Sequence, residues 1–215
     1  MENSIQIKVC GLTKLDQIDE LIDLKIDFLG FIFYSKSPRY VLDHLSLDDL
    51  SKINHTRKVG VFVNESVEQI VDITEKAKLQ LIQLHGDESV EFIKNLRLQL
   101  NNEIKIIKVF RISESTQFNN ALFQIEKCLK NEVDYYLYDT DSKAFGGTGK
   151  TFDWSILNQI SIAKPYFLSG GISFESIEDL KFIKDKPFAL DINSKFEIEP
   201  GNKNIELIKK FKNSI

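Results

Sequence analysis

The chain has 215 residues, is 42% hydrophobic and 28% charged, and carries a net charge of −4. At this length roughly 70% of the unfolded surface is buried on folding, enough for one substantial core. Lysine and arginine alternate with aspartate and glutamate, which leaves no basic stripe for a phosphate backbone. No run reaches about 18 apolar residues, so neither nucleic acid nor a membrane is expected as partner.

The N-terminal MENSIQIK (1–8) has no basic region followed by an apolar run, and a cytoplasmic location is the expectation. Eight short apolar, β-branched or aromatic runs then follow in order: IQIKVCG (5–11), FLGFIF (28–33), KVGVFV (58–63), LIQLHG (81–86), IKIIKVF (104–110), YYLYDT (135–140), PYFLSGG (165–171) and PFALDIN (187–193). Each reads as a strand. Segments of helical spacing separate them. VEQIVDITEKAKL follows Ser66, with Ser66 and Gln69 placed for a capping box, and IEDLKFIKD follows Ser173. The terminal KKFKNS reads as the last turns of a helix, its lysines near the negative end of the dipole.

Strands separated by crossover helices run parallel and are buried on both faces, which is why they read as continuous apolar runs. Eight such units without a linker or composition shift predict an α/β fold, a single (β/α)8 TIM barrel with parallel strands, forming one catalytic domain over 1–215. In that architecture function belongs to the carboxyl ends of the strands and the loops after them.

At those ends stand the candidate residues. Gly170 and Gly171 close the seventh strand, and Asn193 and Ser194 follow Asp191 after the eighth. These neighbouring loops suit a phosphate held by backbone N–H groups and by the helix expected after the glycines. Arg39, in YSKSPRY (34–40), is either a carboxylate clamp or a surface ion pair. Cys10 shares a strand face with Lys8, whose ammonium is expected to lower the thiol pKa, so Cys10 is a base, a nucleophile or a small buried hydrophobe. Asp139 is a candidate proton donor with Asp191 and Asp87 as rivals, each also able to cap a helix or hold a loop. Gln83 and His85 share one face of the fourth strand, among the substrate-binding candidates. No second histidine stands at ligand spacing, so no metal is expected. Cys128, in the helical QIEKCLK (124–130), is expected to be a small buried hydrophobe, and both cysteines free thiols.

With KVCGLT (8–13), GFIFYSKSPRYV (30–41), KVGVFVN (58–64), IQLHGDE (82–88), YDT (138–140), GGTGKTFDW (146–154), FLSGGI (167–172) and ALDINSKFE (189–197) in this order, the sequence closely resembles the phosphoribosylanthranilate isomerase family of tryptophan biosynthesis. The resemblance implies an Amadori rearrangement of a small phosphoribosyl substrate with Cys10 as general base and Asp139 as general acid. It further implies Arg39 on the anthranilate carboxylate, phosphate at Gly170, Gly171, Asn193 and Ser194, and no metal or organic cofactor. The GGTGKT loop with Lys150 is expected to close over the sugar. Lys195 departs from the family, which commonly has a small residue or glycine there, and Ser169 stands where alanine is common; a positive φ at Lys195 would strain the loop. Two other readings are a histidine-pathway phosphoribosyl isomerase, disfavoured by the lack of an internal repeat and by cysteine at the base position, and a non-catalytic phosphate-binding barrel. The expected assembly is a monomer or homodimer.

Overall fold

The structure is a computed structural model, and it describes residues 5–112, 125, 127–140 and 154–215. Eight parallel strands close in sequence order: β1 (Gln6–Val9), β2 (Phe28–Ile32), β3 (Lys58–Phe62), β4 (Leu81–Leu84), β5 (Lys105–Ile112), β6 (Tyr135–Thr140), β7 (Tyr166–Ser169) and β8 (Ala189–Ile192). β8 pairs with β1 from Gln6 opposite Ala189 to Val9 opposite Ile192, which seals the barrel.

Period-two alternation divides the apolar residues into two separate cores. One face supplies Phe28, Val59, Leu81, Ile107, Val109, Leu137, Phe167 and Ala189 to the barrel interior. The other supplies Ile7, Val9, Leu29, Phe31, Phe62, Ile82 and Leu84 to the layer beneath the helices. Those helices are α1 (Leu15–Asp23), α2 (Leu47–Lys52), α3 (Val67–Lys76), α4 (Val90–Gln99) and α5 (Ile205–Lys212). As the terminal lysines suggest, α5 ends on Lys209, Lys210 and Lys212, and Lys212 Nζ reaches across to cap the carbonyls of Leu24 and Lys25 at the end of α1.

Three sequence expectations are corrected here. Ser66 accepts from the Gln69 backbone N–H at 3.2 Å, but the reciprocal half of the capping box is absent. The Ser66 N–H donates instead to Glu65 Oε1 at 2.8 Å, whereas the Ser46 N–H donates to Asp49 Oδ2 at 2.9 Å and completes a box there. The segment after Ser173 is a 3₁₀ helix over Ile177–Phe182 rather than an α-helix; Ser173 and Ser176 build a local turn first, Ser176 Oγ accepting from the Ser173 N–H at 2.9 Å. Cys128 is exposed, not buried: its helical turn places Leu129 inward instead.

Lys58 is a buried cation outside the site. It lies on the outer face of β3 and donates to Leu50 O at 2.7 Å and Ala77 O at 2.9 Å, at the ends of α2 and α3. Burial, with Lys78 nearby, lowers its pKa to about 8. The folded pKa lies below the unfolded one, so the unfolded chain binds the extra proton between the two values and stability rises with pH there. Wild type is therefore expected to gain up to about 3 kcal/mol over Lys58→Met between pH 7 and 11 in denaturant titrations. Parallel pH curves for the two proteins contradict this.

Candidate active site

At the carboxyl ends of the strands the interior changes from apolar to ionic. Lys8, wholly buried on the inner face of β1, donates to both oxygens of Asp191 on β8 at 2.9 and 2.8 Å. The pairing follows from register, since Lys8 and Asp191 are directly opposed. Burial works against the ammonium, yet Asp191 and Cys10 hold the Lys8 pKa above its ordinary value.

Cys10 lies one layer above, just past the end of β1, with its N–H on Ile192 O at 3.0 Å. Its sulfur packs on β2 at Gly30, where a Cβ would come within 3.1 Å of Sγ and 3.0 Å of the Cys10 Cα. Glycine at that mid-strand position makes room for the thiol. The sequence-based expectation that Lys8 lowers the thiol pKa is corrected. Burial pushes it up; Lys8 and Lys203 pull it down, Asp191 opposes them, and the net direction is upward. Lys8 is inward as expected, but its charge is already engaged by Asp191.

Asp139 ends β6, opposite Ser169 on β7 and Arg111 on β5. It shares a cavity of about 200 Å³ with Ser169, Gly170, Gly171, Asp191, Asn193, Ser194 and Lys195. Gly170 and Gly171 have φ of 82° and 70°, a conformation L side chains rarely adopt, which is why glycine stands at both positions of the turn after β7. Ser194 opens a 3₁₀ turn, Ser194–Phe196, that places Lys195 at the rim without positive φ, so the departure at Lys195 costs no backbone strain.

His85 Nε2 lies 3.4 Å from Asp139 Oδ2, and His85 Nδ1 is 2.9 Å from Gln83 Nε2. Gln83 Oε1 is buried and has no partner among the described residues. Asp87, the weakest rival acid, is turned outward to Arg111 Nη1 at 3.3 Å with 83% of its side chain exposed.

Arg39, in the loop after β2, is held by Glu197: Nε at 2.9 Å from both carboxylate oxygens and Nη2 at 2.6 Å from Oε2. Glu197 and Lys203 escaped the sequence reading. They sit on an antiparallel hairpin, β9 (Glu197–Glu199) and β10 (Asn202–Lys203), folded over the barrel mouth. Lys203 Nζ, fully buried, donates to Glu197 Oε1 at 2.6 Å and Asn193 Oδ1 at 2.8 Å. The GGTGKT loop and Lys150 lie outside the described residues. Among the described residues no group of three or more His, Cys, Asp or Glu is arranged to hold a metal, and no helix is long and apolar enough to cross a membrane.

A family model for N-(5'-phosphoribosyl)anthranilate isomerase matches residues 7–214. Among proteins bearing that name, those of Parabacteroides distasonis and Thermotoga neapolitana are 39% and 38% identical, over 95% and 96% of this chain and 90% and 96% of their own lengths. The Thermotoga maritima phosphoribosyl anthranilate isomerase structure superposes with a TM-score of 0.78 at 33% identity, covering 97% of each chain. Another isomerase structure, solved in complex with reduced 1-(o-carboxyphenylamino)-1-deoxyribulose 5-phosphate, superposes at 0.72 with 30% identity over 96% of each chain.

Proposed function

The chain belongs to the N-(5'-phosphoribosyl)anthranilate isomerase family of tryptophan biosynthesis, and on that premise we propose that Cys10 is the base and Asp139 the acid of its reaction. The observation that carries the proposal is the single cavity in which Asp139 meets the Gly170-Gly171 and Asn193-Ser194 loops, beside the strand pair that ends in Cys10. A phosphate seated on those two loops fixes one end of the ribosyl chain. The reacting carbons then extend over the barrel axis, between strands one and six.

Asp139 gives a proton to the furanose ring oxygen as its bond to C1′ breaks, and the anilino nitrogen lone pair forms the C1′ iminium. That cation acidifies the C2′ hydrogen. Cys10 thiolate removes it, and the released electron pair makes the C1′–C2′ double bond and neutralises the nitrogen. Tautomerisation of the enolamine, with C1′ gaining a proton and the C2′ hydroxyl losing one, yields the ketone, 1-(2-carboxyphenylamino)-1-deoxyribulose 5-phosphate, and restores both groups. The iminium is the electron sink, so the scheme calls on no cofactor. Arg39 takes the anthranilate carboxylate, and Gln83, His85 and Asp191 shape the sugar side of the site.

The test is the decay of anthranilate-type fluorescence after phosphoribosylanthranilate, generated enzymatically, is added to the protein. Decay well above the uncatalysed rate in wild type, abolished in the Cys10→Ser/Asp139→Asn double variant, supports the assignment. A double variant as fast as wild type overturns it.

A further inference from the structure

We propose that Glu197 is a positioning residue that sets the aim of the carboxylate clamp: anchored by Lys203, it holds the Arg39 guanidinium side-on and presents the Nη1 edge to the substrate's aryl carboxylate. This rests on Arg39 being that clamp. The geometry carries the rest.

An arginine has two faces suited to a carboxylate, the Nε/Nη2 side and the Nη1/Nη2 end, and a carboxylate on the first leaves the second available. Glu197 occupies the Nε/Nη2 side, and Nη1 takes no part in the pair. The Arg39 side chain is 18% exposed while that of Glu197 is 3% exposed, so Glu197 is the more enclosed member of the pair. Glu197 is itself immobilised: Oε1 also accepts from Lys203 Nζ at 2.6 Å and from the Gly201 N–H at 3.0 Å. Gly201 O in turn accepts from Thr13 Oγ1 at 2.8 Å, which ties the hairpin to the loop that follows Cys10.

The network also reaches the phosphate loop. Lys203 holds Asn193 Oδ1 in the phosphate loop, while Glu197 holds Arg39. Gly11 lies between these two, since a Cβ there would meet Arg39 Cδ at 2.6 Å and Asn193 Oδ1 at 3.0 Å. One ion network therefore ties the clamp to the phosphate loop, a positioning device for a substrate that carries both a carboxylate and a phosphate.

The experiment compares two competitive inhibitors, reduced 1-(o-carboxyphenylamino)-1-deoxyribulose 5-phosphate and the same compound built from aniline, which lacks only the carboxylate. In wild type the carboxylate is expected to tighten inhibition by about 10- to 100-fold, the range of a charge-assisted bidentate pair. In Glu197→Gln that ratio is expected to fall by about tenfold while the aniline compound binds as before. Equal weakening of both compounds would mean that Glu197 only holds the scaffold together, and would overturn the proposal. So would an unchanged ratio in Glu197→Gln alongside a collapsed ratio in Arg39→Ala, which leaves the clamp standing without its positioner. An unchanged ratio in Arg39→Ala removes the clamp itself and the inference with it. Should Glu197→Gln not fold, Glu197→Asp, which keeps the charge on a shorter arm, carries the same readout with a smaller fall.

Discussion

Replacing Cys10 by serine is expected to lower kcat/KM by about 10²- to 10⁴-fold while the reduced product analogue still binds within about threefold of wild type. Serine keeps the volume and the packing on Gly30 but offers no anion in the working pH range, so only the proton abstraction from C2′ is lost. The direction of the thiol shift gives a second, independent signature. Burial raises the Cys10 pKa above its ordinary value against the pull of Lys8 and Lys203. The reactive thiolate is then a minor species at neutral pH, and once Asp139→Asn removes the need for a protonated acid the residual kcat/KM climbs as pH rises through the alkaline range until the thiol is ionised. A thiolate formed at higher pH is also the stronger base towards a carbon acid. Cys10→Ser/Asp139→Asn is expected to lack that rising limb. Asp139→Asn, which retains shape and hydrogen bonding but has no acidic proton, falls by a comparable factor and keeps it. Serine activity within fivefold of wild type, or a rising limb that survives in Cys10→Ser/Asp139→Asn, refutes the thiolate base.

Strand order, closure and the face each strand presents were legible because they depend on local alternation. Once Cys10, Asp139 and Asp191 fall at strand ends and the strands are parallel, the residues must gather at one mouth, as they do. What sequence did not disclose was which charges satisfy one another. Arg39 and Glu197 are 158 positions apart, and Lys8 and Asp191 are 183 apart. Such pairs are fixed by barrel register and by a hairpin whose short strands, EIE and NK, give almost no periodic signal. The misjudged direction of the Cys10 thiol has the same origin. Lys8 was placed correctly beneath it, but an ammonium already neutralised by a buried aspartate is a weaker influence than burial. Cys128 shows the limit of helical spacing near an element's end: with Leu129 as its neighbour, either residue satisfies an amphipathic pattern, and leucine, with the larger apolar area, is the one buried.

Breaking the Lys8–Asp191 pair from one side is expected to destabilise the protein by about 3–5 kcal/mol, because Lys8→Met leaves a carboxylate in the barrel interior with its counter-charge removed. Both side chains are almost fully enclosed, at 0% and 6% exposure, so solvent screens the loss very little. In wild type burial already pushes the Asp191 carboxyl up and Lys8 is the chief group pulling it down. Without Lys8 the folded pKa rises further above its unfolded value, and the variant folds with a proton on Asp191. A carboxyl whose folded pKa exceeds the unfolded one contributes most below the unfolded value, and that contribution is lost as pH rises towards the folded value. The gap in unfolding free energy between wild type and Lys8→Met therefore widens once pH passes the wild-type Asp191 value, which burial already holds above the ordinary carboxyl range, and is smaller in acid. The double variant Lys8→Met/Asp191→Leu is expected to recover much of the loss in chemical denaturation, since two apolar groups of similar volume replace the pair and no charge is stranded. It does not recover activity: Lys8 is also the cation beneath Cys10, and titration of thiolate absorbance in a Cys128→Ser background is expected to show the Cys10 curve displaced to higher pH in Lys8→Met. Superimposable thiolate curves would mean that Lys8 does not act on the thiol, and a stability gap independent of pH would mean that it does not act on Asp191.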